Sequence, residues 1–148
     1  RYTAQEYADS VNLLRETMPD VSITTDVIVG FPGETEGEFN ETYEFLRNIK
    51  LTKTHVFKYS PRKGTKAADM QDQIDGSIKE KRSKLLIELS NKNEKEFIEK
   101  FIGKEMNVLI ETEVKGQEGV YEGYTRNYIK VQVPCSCTDV TGKIVDIE

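Results

Sequence analysis

The segment of residues 26–35 has the residue types and spacing of a strand end that holds a ligand. Asp26 lies in a β-branched run, where a carboxylate is costly unless it meets a partner or water. Gly30 allows the backbone to approach another group closely, and Phe31-Pro32-Gly33 then turns the chain. Strand alternation places Asp26, Ile28 and Gly30 on one face. The pattern predicts a strand that lines a cavity with this face.

A helix is predicted directly after this turn. Thr35 and Glu38 have the spacing of a capping box, which begins a helix. The free N–H groups of such a helix start suit a carboxylate or another anion. An α/β-barrel enzyme that binds phosphate at this turn is therefore one alternative for the site.

A second strand is predicted from Thr54 to Tyr59, and it also ends in a turn. Its alternation places His55, Phe57 and Tyr59 on one face. An aromatic ring at this strand end can stack on adenine, while Tyr59 and the backbone around Ser60 can bond the edge of the base. The two strand ends together predict a site for a planar, polar-edged ligand.

Three other polar residues near the second strand have simpler interpretations. A lone histidine such as His55 is more often a hydrogen-bonded core residue than a catalytic group. Arg62 and Lys63 follow the strand and are either surface charges or partners for a phosphate or carboxylate. We predict no catalytic residue in this chain, because neither a carboxylate pair nor a Ser-His-Asp set stands out.

The elements that position these residues follow from hydrophobic periodicity. Helices are predicted over residues 4–18 and Glu36–Ile49, so that helices and strands alternate as in a parallel α/β sheet. Two strands cannot close a barrel, so further strands must come from elsewhere and open edges favour self-association. A long charged helix then runs to about residue 101 and stops near Gly103.

After Gly103 the hydrophobic period changes to two. Four short strands separated by turns predict a small antiparallel barrel, at residues 106–111, 119–124, 128–133 and 143–147. Aromatic and polar side chains suited to stacking on unpaired bases cluster there: Tyr121, Tyr124, Arg126, Asn127, Tyr128 and Lys130. Clustered tyrosines are also typical of an ordinary barrel core, so both interpretations stand.

Composition limits the class of protein. The chain has 148 residues, of which 36% are hydrophobic and 32% charged, and no apolar run is long enough for a membrane span. Formal charge is −4 over residues 1–76, +3 over 77–104 and −4 over 105–148, so only the middle segment is basic. Cys135 and Cys137 are too few for a disulfide scaffold and more simply strand residues than metal ligands. We expect a cytoplasmic fragment of a longer protein.

These motifs in this order resemble the carboxyl-terminal part of a radical SAM methylthiotransferase. The resemblance rests on residues 26–35, on Phe57-Lys58-Tyr59-Ser60-Pro61-Arg62-Lys63-Gly64-Thr65 and on Gly123-Tyr124-Thr125-Arg126-Asn127-Tyr128. The last motif is most similar to the branch that modifies threonylcarbamoyladenosine at position 37 of tRNA. Related branches act on isopentenyladenosine in tRNA or on a ribosomal protein.

The resemblance implies a fold, a domain plan and cofactors. Residues 1–76 would be the last part of a radical SAM partial (β/α) barrel, 77–102 a connecting helix and 103–148 a TRAM RNA-binding barrel. The longer enzyme would use S-adenosylmethionine and two 4Fe–4S clusters. The CxxxCxxC motif of the family is not in this sequence, so the fragment alone should bind no cluster and be inactive.

The resemblance also implies which residues contact ligands. The S-adenosylmethionine contacts would be Asp26, Ile28, Gly30, Phe57, Tyr59 and Ser60. The tRNA anticodon-loop contacts would be Tyr124, Arg126, Asn127, Tyr128 and Lys130. The missing amino-terminal domains of the same protein would be further partners. A non-catalytic RNA-binding module is the alternative from another functional class.

Overall fold

A computed structural model describes residues 2–135 and 140–148 of the chain. The chain divides into two compact units, Arg1–Phe97 and Ile98–Glu148, and each is described by itself. None of the described helices is long and apolar enough to cross a membrane.

The first unit alternates helices with two strands. The elements in chain order are α1 (Ala4–Thr17), β1 (Thr24–Val29), α2 (Glu36–Ile49), β2 (Lys53–Lys58), a short 3-10 helix (Lys66–Asp69) and α3 (Gly76–Glu99), whose last residues belong to the second unit. Capping boxes begin α1 at Thr3 and α2 at Thr35, as the Thr-x-x-Glu spacing predicts. The predicted mixed α/β order is confirmed.

β1 and β2 are parallel and pair in register from Thr24 with Lys53 to Val29 with Lys58. The helices cover one face of this sheet with a single apolar cluster, whose buried members are Val11, Val29, Phe39, Leu46, Ile49, Leu51, Leu86 and Leu89. The opposite face is exposed. Parallel sheets are usually covered on both faces, so this exposed face is the unusual feature of the unit.

The buried face of α3 is more polar than hydrophobic periodicity predicts. Its buried residues are Arg82, Ser83, Leu86, Leu89, Ser90, Asn93 and Phe97. Two of its large apolar side chains, Ile78 and Leu85, are instead about two-fifths exposed. Hydrogen bonds explain part of this burial of polar side chains, because the Ser90 hydroxyl accepts from the Thr54 backbone N–H at 2.9 Å.

The second unit is a four-stranded antiparallel sheet. Its strands are β3 (Met106–Glu113), β4 (Val120–Thr125), β5 (Lys130–Pro134) and β6 (Ile144–Ile147), in the order β5-β4-β3-β6. Val108, Ile110, Tyr121 and Val140 form its buried core. Among the described residues the sheet is curled and open, compatible with a TRAM-like half-barrel. That the first unit is part of a radical SAM barrel, and the predicted domain boundaries, stay predictions.

Gly123 lies in β4 opposite Ile110, where the pairing with β3 is irregular. The register of the two strands shifts between Ile110 and Thr112, which marks a β-bulge. A Cβ atom at position 123 would overlap the carbonyl oxygen of Leu109. Glycine is therefore required here by space rather than by a left-handed backbone.

Candidate functional site

The exposed face of the parallel sheet carries four of the side chains singled out from the sequence. Asp26 lies beside His55, and Ile28 lies beside Phe57, in neighbouring register positions. The Ile28 and Phe57 side chains are 56% and 52% exposed. The four side chains share one face, as the alternation predicted, and this face offers exposed apolar surface with a carboxylate and an imidazole beside it.

Tyr59 lies just beyond β2 and is half-buried among aromatic and cationic neighbours. Its backbone N–H donates to the Val29 carbonyl oxygen at 2.9 Å, which holds the two strand ends together. The Phe31 ring meets the Tyr59 ring edge-on, with centroids 5.2 Å apart. The Tyr59 hydroxyl is buried and has no hydrogen-bond partner within the described chain. Ser60 is exposed.

The close approach that Gly30 permits is used by Lys79 of α3. Gly30 has φ +69°, and a Cβ there would overlap Cγ of Lys79. The Lys79 ammonium donates to the Tyr59 carbonyl oxygen at 3.2 Å and lies 5.3 Å from the centre of the Tyr59 ring. The aliphatic part of this lysine therefore covers the turn at which we predicted a ligand.

A buried ion pair fixes the turn after β1. The Arg82 side chain is 5% exposed and donates to Glu34 Oε2 at 2.6 Å, while the same oxygen accepts the Gly30 N–H at 2.7 Å. Arg82 also donates to the Glu34 carbonyl oxygen at 3.0 Å and to Glu36 at 3.2 Å. Its Nε has no partner in the described structure. Sequence reasoning missed Arg82, because it reads as one charge among many on α3.

The start of α2 is satisfied by the chain itself. The Thr35 hydroxyl accepts the Glu38 N–H at 3.2 Å, and the Glu38 carboxylate accepts both the N–H and the hydroxyl of Thr35 at 2.8 Å. The hydrogen bonds that the Glu38 carboxylate accepts hold its pKa below the ordinary value. The bond from the Thr35 backbone N–H has the largest effect, followed by that from the Thr35 hydroxyl. The predicted capping box is confirmed, and its carboxylate occupies two of the donors that an external anion would need.

The outer face of the antiparallel sheet carries a groove of about 620 Å³. Its lining residues are Asn107, Leu109, Glu111, Tyr124, Thr125, Arg126, Tyr128 and Ile144. Ile144, Leu109 and Tyr124 are successive partners across β6, β3 and β4, so they form one apolar row. Three predicted RNA contacts, Tyr124, Arg126 and Tyr128, therefore meet at one surface.

The other two predicted RNA contacts have different environments. The Asn127 side chain is 9% exposed, and its Oδ1 accepts from the Thr125 hydroxyl at 2.6 Å. Lys130 is the cross-strand neighbour of Tyr124, and its ammonium pairs with Glu122 at 2.8 Å. The hydrogen bond that the Lys130 ammonium donates to Glu122 raises the pKa of Lys130, against a smaller effect of burial.

Tyr121 is separated from the tyrosines with which the sequence grouped it. It is buried in the core at 8% exposure, whereas Tyr128 is 82% exposed. Residues 121 and 124 are three apart on one strand and therefore point to opposite faces. The core interpretation is therefore correct for Tyr121, whereas stacking of Tyr124 and Tyr128 on unpaired bases stays a prediction.

The remaining candidates contribute no further site. Arg62 and Lys63 are exposed, and Cys135 is half-buried. Cys137 lies outside the described residues. Over residues 2–135 and 140–148, no group of three or more His, Cys, Asp or Glu is placed to hold a metal ion.

Comparison with curated proteins identifies relatives over the whole chain. The threonylcarbamoyladenosine tRNA methylthiotransferase MtaB of Bacillus subtilis is 43% identical over all of this chain, which covers 33% of that protein. MtaB of Aquifex aeolicus is 47% identical over 74% of the chain, covering 27% of that protein. The tRNA-2-methylthio-N(6)-dimethylallyladenosine synthase of Acetivibrio thermocellus is 37% identical over 99% of the chain, covering 30% of its length. No family model matches the chain.

Proposed function

We propose that this chain, which belongs to the tRNA methylthiotransferase family and matches a carboxyl-terminal portion of its relatives, is part of a longer radical SAM enzyme. The chain spans about a third of the length of the curated relatives it matches. The longer enzyme would add a methylthio group to threonylcarbamoyladenosine of tRNA. The names of the Bacillus and Aquifex relatives, at 43% and 47% identity, support this substrate.

The exposed face of β1 and β2 would contact S-adenosylmethionine. Ile28 and Phe57 offer adjacent apolar surface for the adenine ring, and Asp26 and His55 lie two register positions away, on the same face, for polar groups. Tyr59 and Ser60 would meet the edge of the base beyond β2. Gly30 would act through the turn that it forms under Lys79 rather than by direct contact.

The 4Fe–4S clusters would be held by parts of the longer protein other than the described residues, which offer no suitable ligand group. When bound, S-adenosylmethionine and the clusters supply the radical chemistry of sulfur insertion. The residues of this chain would orient the adenosyl group and keep water from the apolar part of the face. The fragment alone would therefore be inactive.

The outer face of the antiparallel sheet would bind the anticodon loop of the tRNA. The observation that carries the proposal is the groove that joins Tyr124, Arg126 and Tyr128 with the apolar row from β3 and β6. Exposed aromatic rings beside a cation are the common means of binding unpaired bases. Because the segment 105–148 carries a net charge of −4, we expect a weak salt dependence.

The direct test is to express the longer protein that contains these residues and to analyse nucleosides of its tRNA by mass spectrometry. The proposal expects 2-methylthio-threonylcarbamoyladenosine to appear with the wild type and to decrease in the Ile28→Asp and Phe57→Asp variants. Appearance of a methylthio group only on isopentenyladenosine would favour the second tRNA branch, to which the Acetivibrio relative belongs.

A non-catalytic RNA-binding module is the candidate from another class. Its support is Lys79, which already covers Gly30 at the turn predicted to meet a ligand. Titration of the chain with S-adenosylmethionine and with an anticodon stem-loop RNA separates the two. Binding of RNA without the cofactor would favour the module.

Self-association through the open edges of β1 and β2 is a further proposal, which size-exclusion chromatography at rising concentration would test.

A further inference from the structure

The turn between β4 and β5 contains a residue held in an unfavourable backbone conformation. Tyr128 has φ +62°, in the left-handed region that β-carbon-bearing residues seldom adopt. Its side chain is also 82% exposed, so burial of the ring does not repay this conformation. Strain of this kind persists only where the surrounding structure fixes it, and it concentrates at functional sites.

Hydrogen bonds around Thr125 fix the turn. The Tyr128 N–H donates to the Thr125 carbonyl oxygen at 3.0 Å, and the Thr125 N–H donates to the Ile129 carbonyl oxygen at 3.0 Å. The Thr125 hydroxyl accepts the Ile129 N–H at 2.9 Å and donates to Asn127 Oδ1 at 2.6 Å. The side chains of Thr125 and Asn127 are both more than nine-tenths buried. Thr125 and Asn127 therefore set the backbone from which Tyr128 projects.

The Tyr128 ring projects beside a second ring on the same groove. The centroids of Tyr124 and Tyr128 are 6.4 Å apart and their planes are inclined by 53°, so the rings are not stacked on each other. A planar base sandwiched between two rings needs about 7 Å, which is two carbon contact distances. The exposed Tyr128 ring must therefore turn through about the 53° that now separates the planes to leave room for one base between parallel rings.

The charges at the groove favour a nucleobase over an apolar side chain. Arg126 lies in the same lining beside Tyr128 and can meet the phosphate of the bound nucleotide. Glu111, also in the lining, can accept a hydrogen bond from an amino group on the edge of a base. The same carboxylate repels further phosphates, so the groove suits one splayed-out nucleotide rather than a duplex backbone.

We propose that Tyr124 and Tyr128 form a site for a single unpaired nucleobase, and that Asn127 is a positioning residue that presents Tyr128 to it. This inference rests on the RNA binding proposed above and specifies its mode. It predicts that one base is stacked in the bound state and that the loss of either ring removes this stacking.

The probe is a short oligouridylate that carries one 2-aminopurine, whose fluorescence falls when the base stacks. We expect the wild-type chain to bind it with quenching, and to bind the same strand poorly once it is annealed to its complement. Stacking on a protein ring changes affinity by roughly 5- to 150-fold per base. We therefore expect Tyr128→Leu and Tyr124→Leu each to weaken binding about tenfold and to abolish the quenching.

Matched variants separate the ring from the fold. Tyr128→Phe retains the ring and should stay within about twofold of the wild type. Tyr2→Leu removes a tyrosine of the other unit that is 75% exposed, and it should leave binding unchanged. Thermal melting monitored by circular dichroism verifies that each variant is folded.

The role of Asn127 is tested by a double-mutant cycle. Asn127→Ala should weaken binding in the wild-type background but have no further effect in the Tyr128→Leu background. An equal loss in both backgrounds would overturn the positioning role. RNA binding that is tight but neither quenched nor sensitive to Tyr128→Leu would overturn the stacking site and leave the RNA-binding proposal standing. No binding of single-stranded RNA would overturn both.

Discussion

The two exposed sheet faces of this chain have different structural meanings. An antiparallel sheet commonly leaves one face in water, so the outer face of β3 to β6 is a stable surface in its own right. A parallel sheet is normally covered on both faces, yet β1 and β2 expose Ile28 and Phe57 opposite a complete apolar cluster. The comparison teaches that the exposed face of β1 and β2 is incomplete without a ligand or a further layer. The outer face of β3 to β6 is complete as it stands.

The units also differ in what holds their exposed faces in place. In the first unit the strand end is fixed by charge, through Arg82 and Glu34. In the second unit the exposed face is held by the close approach of the β3 and β4 backbones at Gly123 and by the hydrogen bonds of the β4–β5 turn. A substitution that removes one of these interactions should therefore destabilise its own unit and leave the other unaffected.

The largest effect is expected from Arg82→Ala. Removal of one partner from a buried pair leaves Glu34 without compensation, so we expect a loss of about 3 to 5 kcal/mol in the free energy of unfolding of the first unit. Urea denaturation measures it. The control is Arg47→Ala, whose ion pair with Glu44 is exposed and should contribute less than about 1 kcal/mol. Equal losses in the two variants would contradict the assignment of Arg82.

Gly123→Ala should have the next largest effect, and in the other unit. The new methyl group overlaps the Leu109 carbonyl oxygen, so β3 and β4 must separate at the bulge. We expect a loss of about 1 to 3 kcal/mol. Gly37→Ala is the control, because position 37 is helical, a Cβ there would meet only the Thr35 hydroxyl oxygen at 3.8 Å, and alanine should stabilise the helix by up to about 1 kcal/mol. Hydrogen exchange should locate the Gly123→Ala loss in β3 and β4.

A smaller effect, with a defined pH dependence, is expected at the start of α2. Thr35→Ala should cost about 1 kcal/mol at neutral pH, because it removes the cap. Since the pKa of Glu38 is lowered in the folded state, its contribution is present above the ordinary value of 4.5 and is lost as pH falls through the folded value. The melting temperatures of wild type and Glu38→Gln should therefore converge below pH 4.5. A difference that persists at lower pH would contradict this linkage.

The smallest effect on stability is expected on the exposed parallel face, and this prediction tests the comparison most directly. Ile28→Ser and Phe57→Ser replace side chains that are already half in water, so each should change the free energy of unfolding by less than about 1 kcal/mol. Val29→Ala, one residue along and 1% exposed, should cost about 2 kcal/mol. Large losses for Ile28→Ser and Phe57→Ser would make this face a core surface.

Much of the fold follows from local sequence signals, and the reasons are physical. The β-branched run before Gly30 and the Thr-x-x-Glu spacing at Thr35 act over a few residues, so they predicted β1 and α2 correctly. Alternation likewise predicted which face Ile28 and Phe57 share. The ligand contacts assigned by resemblance stay predictions.

What the sequence did not reveal depends on contacts between distant residues. Arg82 and Glu34 are 48 positions apart, and nothing in the charge pattern of α3 marks Arg82 as buried. Lys79 reaches Gly30 from the same helix. The sequence predicted that another group approaches Gly30 closely, but it did not reveal that this group is Lys79. The grouping of Tyr121 with Tyr124 is the one error that the sequence itself could have prevented. The two residues are three apart on one strand, and this odd spacing assigns them to opposite faces.

The hydrogen bond between Thr54 and Ser90 has a directional consequence for the parallel sheet. An N–H that already donates to a helix hydroxyl cannot also donate to an incoming strand, so β2 is partly closed to lateral growth. β1 instead borders a groove of about 610 Å³ whose lining includes Thr25, Val27 and Phe45. A neighbour that extends this sheet should therefore pair more readily at the β1 edge than at the β2 edge.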